Sequence, residues 1–111
     1  MKTILRETTH LSREFMDFGW GNGYVLIPKG HPVHGVHYDG IDVDVHYGLT
    51  FSEPVDAKMA ADWELEGQDI GCWMVGFDTA HGGDTLEKWP MEAVQAETDR
   101  LRNQLVRFQN S

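Results

Sequence analysis

Several ordinary features are scarce in this sequence, and each scarcity removes a class of protein. There is one cysteine, Cys72, so no internal disulfide can form. Set in the apolar run "GCWMV", it reads as a packed thiol in a reducing compartment. No window of about 18 apolar residues exists, so no segment is expected to span a membrane. The opening "MKTILRETTHLSREF" has charges inside its first apolar patch and no small-residue cleavage site, so no signal peptide is expected. Repeats, low-complexity tracts and linkers are missing. So are HExxH, paired CxxC, a calcium-type loop, a phosphate-binding glycine loop and a nucleophile-elbow serine.

Basic residues are scarcest in the middle. Residues 39–99 hold fifteen acidic and two basic side chains, a net of −13; residues 1–38 net +1 and residues 100–111 net +3, within a total of −9. A field of that sign repels phosphate backbones, so direct nucleic-acid binding is not expected. It suits solubility, cation binding, or mimicry of nucleic acid towards a basic partner. With 111 residues, 41% of them apolar and twelve aromatic, residues 1–111 are expected to form a single globular domain with one core.

The periodicities predict an α+β fold: a small antiparallel or mixed sheet with a short N-terminal helix and a long C-terminal helix packed on it. "TTHLSREFMDFGWGNG" reads as the short helix, capped by Thr8 or Thr9, with Leu11, Phe15 and Phe18 on one face and Gly19, Gly21 and Gly23 ending it. "YVLI" (24–27) reads as a buried strand stopped by "PKG". "GIDVDVHYG" (40–48) gives the clearest alternation, with Ile41, Val43, Val45 and Tyr47 opposite Asp42, Asp44 and His46, and Gly48 permitting a bend. "EPVDAKMAAD" suits a loop with one helical turn. "WELEGQDIGCWMVGF" reads as two strands joined by a tight turn at "EGQD". At the C-terminus, Pro90 suits a first helical position, Glu92 the N-terminal end, and arginines gather at the far end. Val94, Thr98, Leu101, Leu105 and Phe108 then form one stripe for packing on the sheet.

Histidine and aspartate concentrate in three stretches. "GHPVHGVHYDG" (30–40) spaces His31, His34 and His37 by three, which would align the imidazoles on one edge of a polyproline-like segment. The polar face of 40–48 carries Asp42, Asp44 and His46. "GFDTAHGGD" (76–84) sets Asp78, His81 and Asp84 among glycines. Imidazole and carboxylate together suit a divalent metal. The competing structural reading has the aspartates capping turns through their side chains. A ligand pocket is the third reading. Glycines 21, 23, 76, 82 and 83 allow close backbone approach, while Trp20, Tyr38, Tyr47, Trp73 and Trp89 offer stacking faces.

"GNGYVLIPKGHPVHG", "YDGIDVDVHYGLTFS" and "WMVGFDTAHGGDTL" resemble a group of small bacteriophage- and prophage-encoded proteins. Those carry GYV-x-IP-x-GHP, VHGGLT-like and GFD-x-AH-x-GD segments. The resemblance covers roughly residues 19–105 and departs at Tyr47, where the pattern has glycine. No activity is firmly assigned to the group; the resemblance implies a setting in the bacterial cytoplasm and an accessory role.

From these residues a non-catalytic binder of a small, nucleotide-like ligand is favoured over an enzyme, sequestering a host defence signal. Asp78, His81, Asp84, His34, His46, Trp20 and Tyr38 are the expected contacts. A phosphate-bearing ligand would need Lys29, Arg6, Arg13 or the C-terminal arginines in its pocket. Two alternatives stand beside the binder: a metal-dependent hydrolase using the His/Asp set, and an acidic inhibitor of a basic nucleic-acid-binding host protein. Ligand identity, metal dependence and homo-oligomerisation stay open at this point.

Overall fold

The computed structural model describes residues 1–8 and 18–109. The elements run β1 (Thr3–Glu7), β2 (Gly21–Ile27), β3 (Phe51–Pro54), α1 (Ala57–Asp62), β4 (Trp73–Phe77) and α2 (Met91–Gln109). The strands form one sheet in the order β1-β2-β4-β3, and every neighbouring pair is antiparallel. The fold is therefore α+β with a long C-terminal helix.

The N-terminal element corrects the expectation. The fold opens with a strand, not a short helix. In "TILRE" the alternation is only five residues long, too short to stand out before its partner β2 is known. Most of the expected helix falls on residues 9–17, outside the described residues. Gly21 and Gly23, expected to end it, belong instead to β2.

Strands β2 and β4 lie at the centre and are covered on both faces. Val25, Ile27, Val75 and Phe77 face α2 and pack with Val94, Leu101 and Leu105. Tyr24, Leu26 and Met74 face the other way, onto Val55 and Ala60 of the α1 side. The α2 stripe forms as expected: Val94, Thr98, Leu101 and Leu105 are all fully buried. Thr98 is tolerated there because its hydroxyl donates to the Val94 carbonyl at 2.7 Å. It also packs against Gly23, where any Cβ would collide with Thr98 Oγ1. Pro90 sits one place earlier than expected; its carbonyl accepts from Ala93 and Val94, opening the helix.

Two further expectations are corrected. Residues 41–45 keep their alternation, with Ile41 and Val45 buried and Asp42 and Asp44 exposed, but pair with no strand among the described residues. Alternation reports a half-buried extended chain and not what lies beside it. Of "WELEGQDIGCWMVGF" only Trp73–Phe77 is a strand; a short 3-10 turn, Gly67–Asp69, replaces the hairpin. The helical turn in "EPVDAKMAAD" is present as α1, capped by Asp56, which accepts from Met59 N at 2.8 Å. Among the described residues no helix is long and apolar enough to cross a membrane.

One glycine sets up the α1 face. Gly76 lies in register between Tyr24 of β2 and Phe51 of β3. Having no side chain, it lets those rings meet edge-on at 5.3 Å. An added Cβ would lie 2.8 Å from Tyr24 Cε1. Gly76→Ala is therefore expected to cost about 1–3 kcal/mol by overpacking, read from urea midpoints. The cost should shrink on a Tyr24→Ala background, because the two sites couple. An unchanged cost there would mean that the ring does not overlie Gly76.

Candidate functional site

Strand β4 ends at Phe77, and the loop that follows is organised by its carboxylates. Asp78 accepts from Ala80 N at 3.1 Å and from the Thr50 hydroxyl at 3.0 Å. Asp84, 4% exposed, accepts from His81 N at 2.9 Å through one oxygen. Its other oxygen takes the Nε2–H of His46 at 2.8 Å. The aspartates thus fold their own loop, as the capping reading expects, and Asp84 ties it to the 41–48 segment.

His46 is held from several sides. Its ring lies 4.2 Å from that of Trp89, and its backbone N–H donates to Glu97 of α2 at 2.7 Å. Tyr47, next in the chain, has φ +57° and is 64% exposed. It stacks on His81 with centroids 4.2 Å apart and planes 10° apart. His81 Nε2 stands 2.9 Å from Asp78 Oδ1. That contact lacks hydrogen-bond geometry, so this buried nitrogen has no hydrogen-bond partner among the described residues.

The structure brings together Asp78, His81, Asp84 and His46 from two of the three His/Asp stretches, with Trp20 close by through its backbone N–H to the Trp89 carbonyl at 2.8 Å. It leaves His34 and Tyr38 elsewhere. His34 Nε2 bonds the Gly71 carbonyl at 2.8 Å, and Tyr38 N donates to Ser52 Oγ at 3.1 Å. The polyproline-like edge of histidines does not form. Residues 31–36 turn instead, His34 N bonding His31 O and Val36 N bonding Val33 O, and the rings diverge. His31 is buried, giving its Nε2–H to Leu105 O at 2.7 Å and accepting from Val33 N at Nδ1. Among the described residues, no three His, Cys, Asp or Glu side chains are arranged to hold a metal ion. Cys72 is half-buried, and that burial pushes its thiol up.

A cleft of about 450 Å³ opens on the α1 side of the sheet, lined by Arg6, Glu7, Asn22, Tyr24 and Asp78. Register explains the grouping. Arg6 pairs with Asn22 across β1 and β2, and Asn22, Tyr24 and Leu26 alternate onto one face. The Arg6 guanidinium carbon lies 4.1 Å from the centre of the Trp63 ring, a cation–π arrangement. Trp63 closes the C-terminal end of α1 and meets Tyr24 edge-on at 4.9 Å. Asn22 Nδ2 donates to the Tyr24 hydroxyl at 3.2 Å. Burial pushes the Tyr24 phenol up despite that bond and the nearby Arg6 charge, so it keeps its proton to donate. Asp78 lines this cleft, whereas His81 does not. Sequence reasoning placed Arg6 only among several candidate cations and passed over Glu7 and Asn22. The usable signal was the Ile4/Arg6 alternation opposite Asn22/Tyr24.

Comparison with protein-family models, curated proteins and solved structures finds no match for this chain.

Two outcomes test this geometry. Arg100 hydrogen-bonds the Glu97 carboxyl and holds it below its ordinary 4.5, outweighing burial, with the His46 N–H assisting. A depressed folded value gives stability that is complete above the ordinary value and lost as pH falls through the folded one. Stability should therefore decline below about pH 4.5 less steeply in Glu97→Gln than in the parent, measured by urea midpoints. Equal slopes would show that Glu97 is not clamped. At Tyr47, glycine would relieve about 1–2 kcal/mol of left-handed strain while losing about 0.5–1.5 kcal/mol of stacking. Tyr47→Gly should thus shift stability by less than about 1 kcal/mol. A larger loss would mean the ring itself holds the loop.

Proposed function

We propose that this protein binds a small, nucleotide-like ligand without turning it over, in the cleft between Arg6, Tyr24 and Asp78. The observation that carries this reading is Arg6. It lines a cleft of about 450 Å³, braced on Trp63, and makes no ion pair among the described residues. The volume lies within the range of small-molecule sites, roughly 300–1,000 Å³. A guanidinium and a phenolic O–H offer donors to a phosphate. Asn22 and Asp78 offer the acceptors that a nucleobase edge needs.

Binding without turnover is supported by where the reactive groups go. Among the described residues the cleft lining contains no imidazole or thiol, and His46 is committed to Asp84. The motif resemblance over residues 19–105 supplies the setting: a phage-type accessory protein in the bacterial cytoplasm that sequesters a host signal.

Native mass spectrometry on gently purified protein, followed by thermal shifts with nucleotides, tests the reading. A bound nucleotide should raise stability by about 2.7 kcal/mol at a hundredfold excess over Kd and leave with its mass unchanged. Arg6→Ala and Asp78→Asn should abolish the shift while the unliganded protein still unfolds cooperatively. A chain that neither carries nor responds to any nucleotide ends the binding reading. A ligand released with altered mass ends the claim of no turnover.

A further inference from the structure

The charges around the cleft constrain the ligand further, on the premise that the cleft binds a nucleotide. Among the described residues Arg6 is its single cation, and Glu7 and Asp78 are both acidic. Three of the other cations are engaged elsewhere: Lys2 by Asp69, Lys58 by Asp62, and Arg100 by Glu97 and Asp44. Among the described residues no stretch of glycine-rich backbone cradles the cleft; Gly82 and Gly83 lie outside its lining. Sites for polyphosphates collect several cations, a metal ion or a nest of backbone N–H groups. The described lining of this cleft has one guanidinium and one phenol, in a chain of net charge −9.

The acceptor side is equally specific. Asp78 takes one hydrogen bond on each oxygen, from Thr50 and Ala80. A carboxylate has about four lone-pair sites, so it can accept again from a ligand N–H. The Tyr24 oxygen already accepts from Asn22, which leaves its proton as the donor.

We infer that the ligand is a nucleoside phosphodiester, bearing a single negative charge and an amino group on its base, and not a nucleoside polyphosphate. The phosphodiester meets Arg6 and the Tyr24 O–H; the amino group meets Asp78. Each further phosphate charge would be placed beside Glu7 and Asp78, with no second cation among the described lining residues to receive it.

The test titrates 3′,5′-cyclic AMP, AMP and magnesium-free ATP, following Trp63 emission with Trp63→Phe as control, and thermal shift alongside. Cyclic AMP should bind at least about tenfold more tightly than ATP, with AMP between them. Glu7→Gln, an exposed change, should narrow that spread, as should added salt. If ATP binds as tightly as cyclic AMP or more so, this inference is overturned and the nucleotide reading survives. If none of the three binds, both fall.

Discussion

A stretch of extended backbone that has no neighbouring strand must find hydrogen bonds somewhere, because unpaired buried N–H and C=O groups are costly. Residues 41–48 meet this constraint with side chains from α2. Gln104 accepts from Asp44 N and donates to Asp44 O, both at 2.7 Å, imitating one rung of a ladder. Glu97 accepts from His46 N at 2.7 Å, and the turn closes with Gly48 N on Val45 O. Arg100 bonds both Glu97 and Asp44, so the charges of the helix and the segment lock together. The placement of His46, and through it of Asp84 and the 78–84 loop, depends on this substitute for a strand.

From there the two faces of the sheet become linked at one residue. The loop is fastened on the α2 side by the His46–Asp84 bond, while the cleft lies on the α1 side. Asp78 belongs to both: it caps the start of the loop, stands beside His81, and lines the cleft. Thr50, just ahead of β3, fixes the other oxygen. The orientation of the cleft's carboxylate is therefore set within the protein, by Ala80 of the lining and Thr50 outside it.

Much of this could be read from the chain alone, and the failures share a cause. The α2 stripe was legible because five apolar or small residues repeat over a long helix. The Ile41/Val43/Val45 alternation was also legible, but it cannot say whether a strand or helix side chains supply the partners. The three histidines at 31, 34 and 37 illustrate the same limit. Equal spacing fixes direction only once the backbone conformation is known, and turns at 31–36 send each ring to a different carbonyl or to solvent. The carboxylates at 78 and 84 were placed correctly as loop-forming residues by local chemistry. Arg6 and Asn22 become neighbours only through β1–β2 pairing, which lies beyond any local pattern.

Tyr47 occupies a backbone conformation that a side chain ordinarily avoids. It holds φ +57° and Gly48 φ +77°, the third and fourth residues of a turn closed by Gly48 N on Val45 O. The third position of such a turn, at positive φ, ordinarily takes glycine or asparagine. The strain of placing tyrosine there is of order 1–2 kcal/mol. Stacking on His81 and a 3.3 Å bond from the phenol to Gly82 O supply a gain of similar size. The turn therefore accommodates tyrosine because its ring binds the 78–84 loop, the same loop that the buried Asp84 fastens.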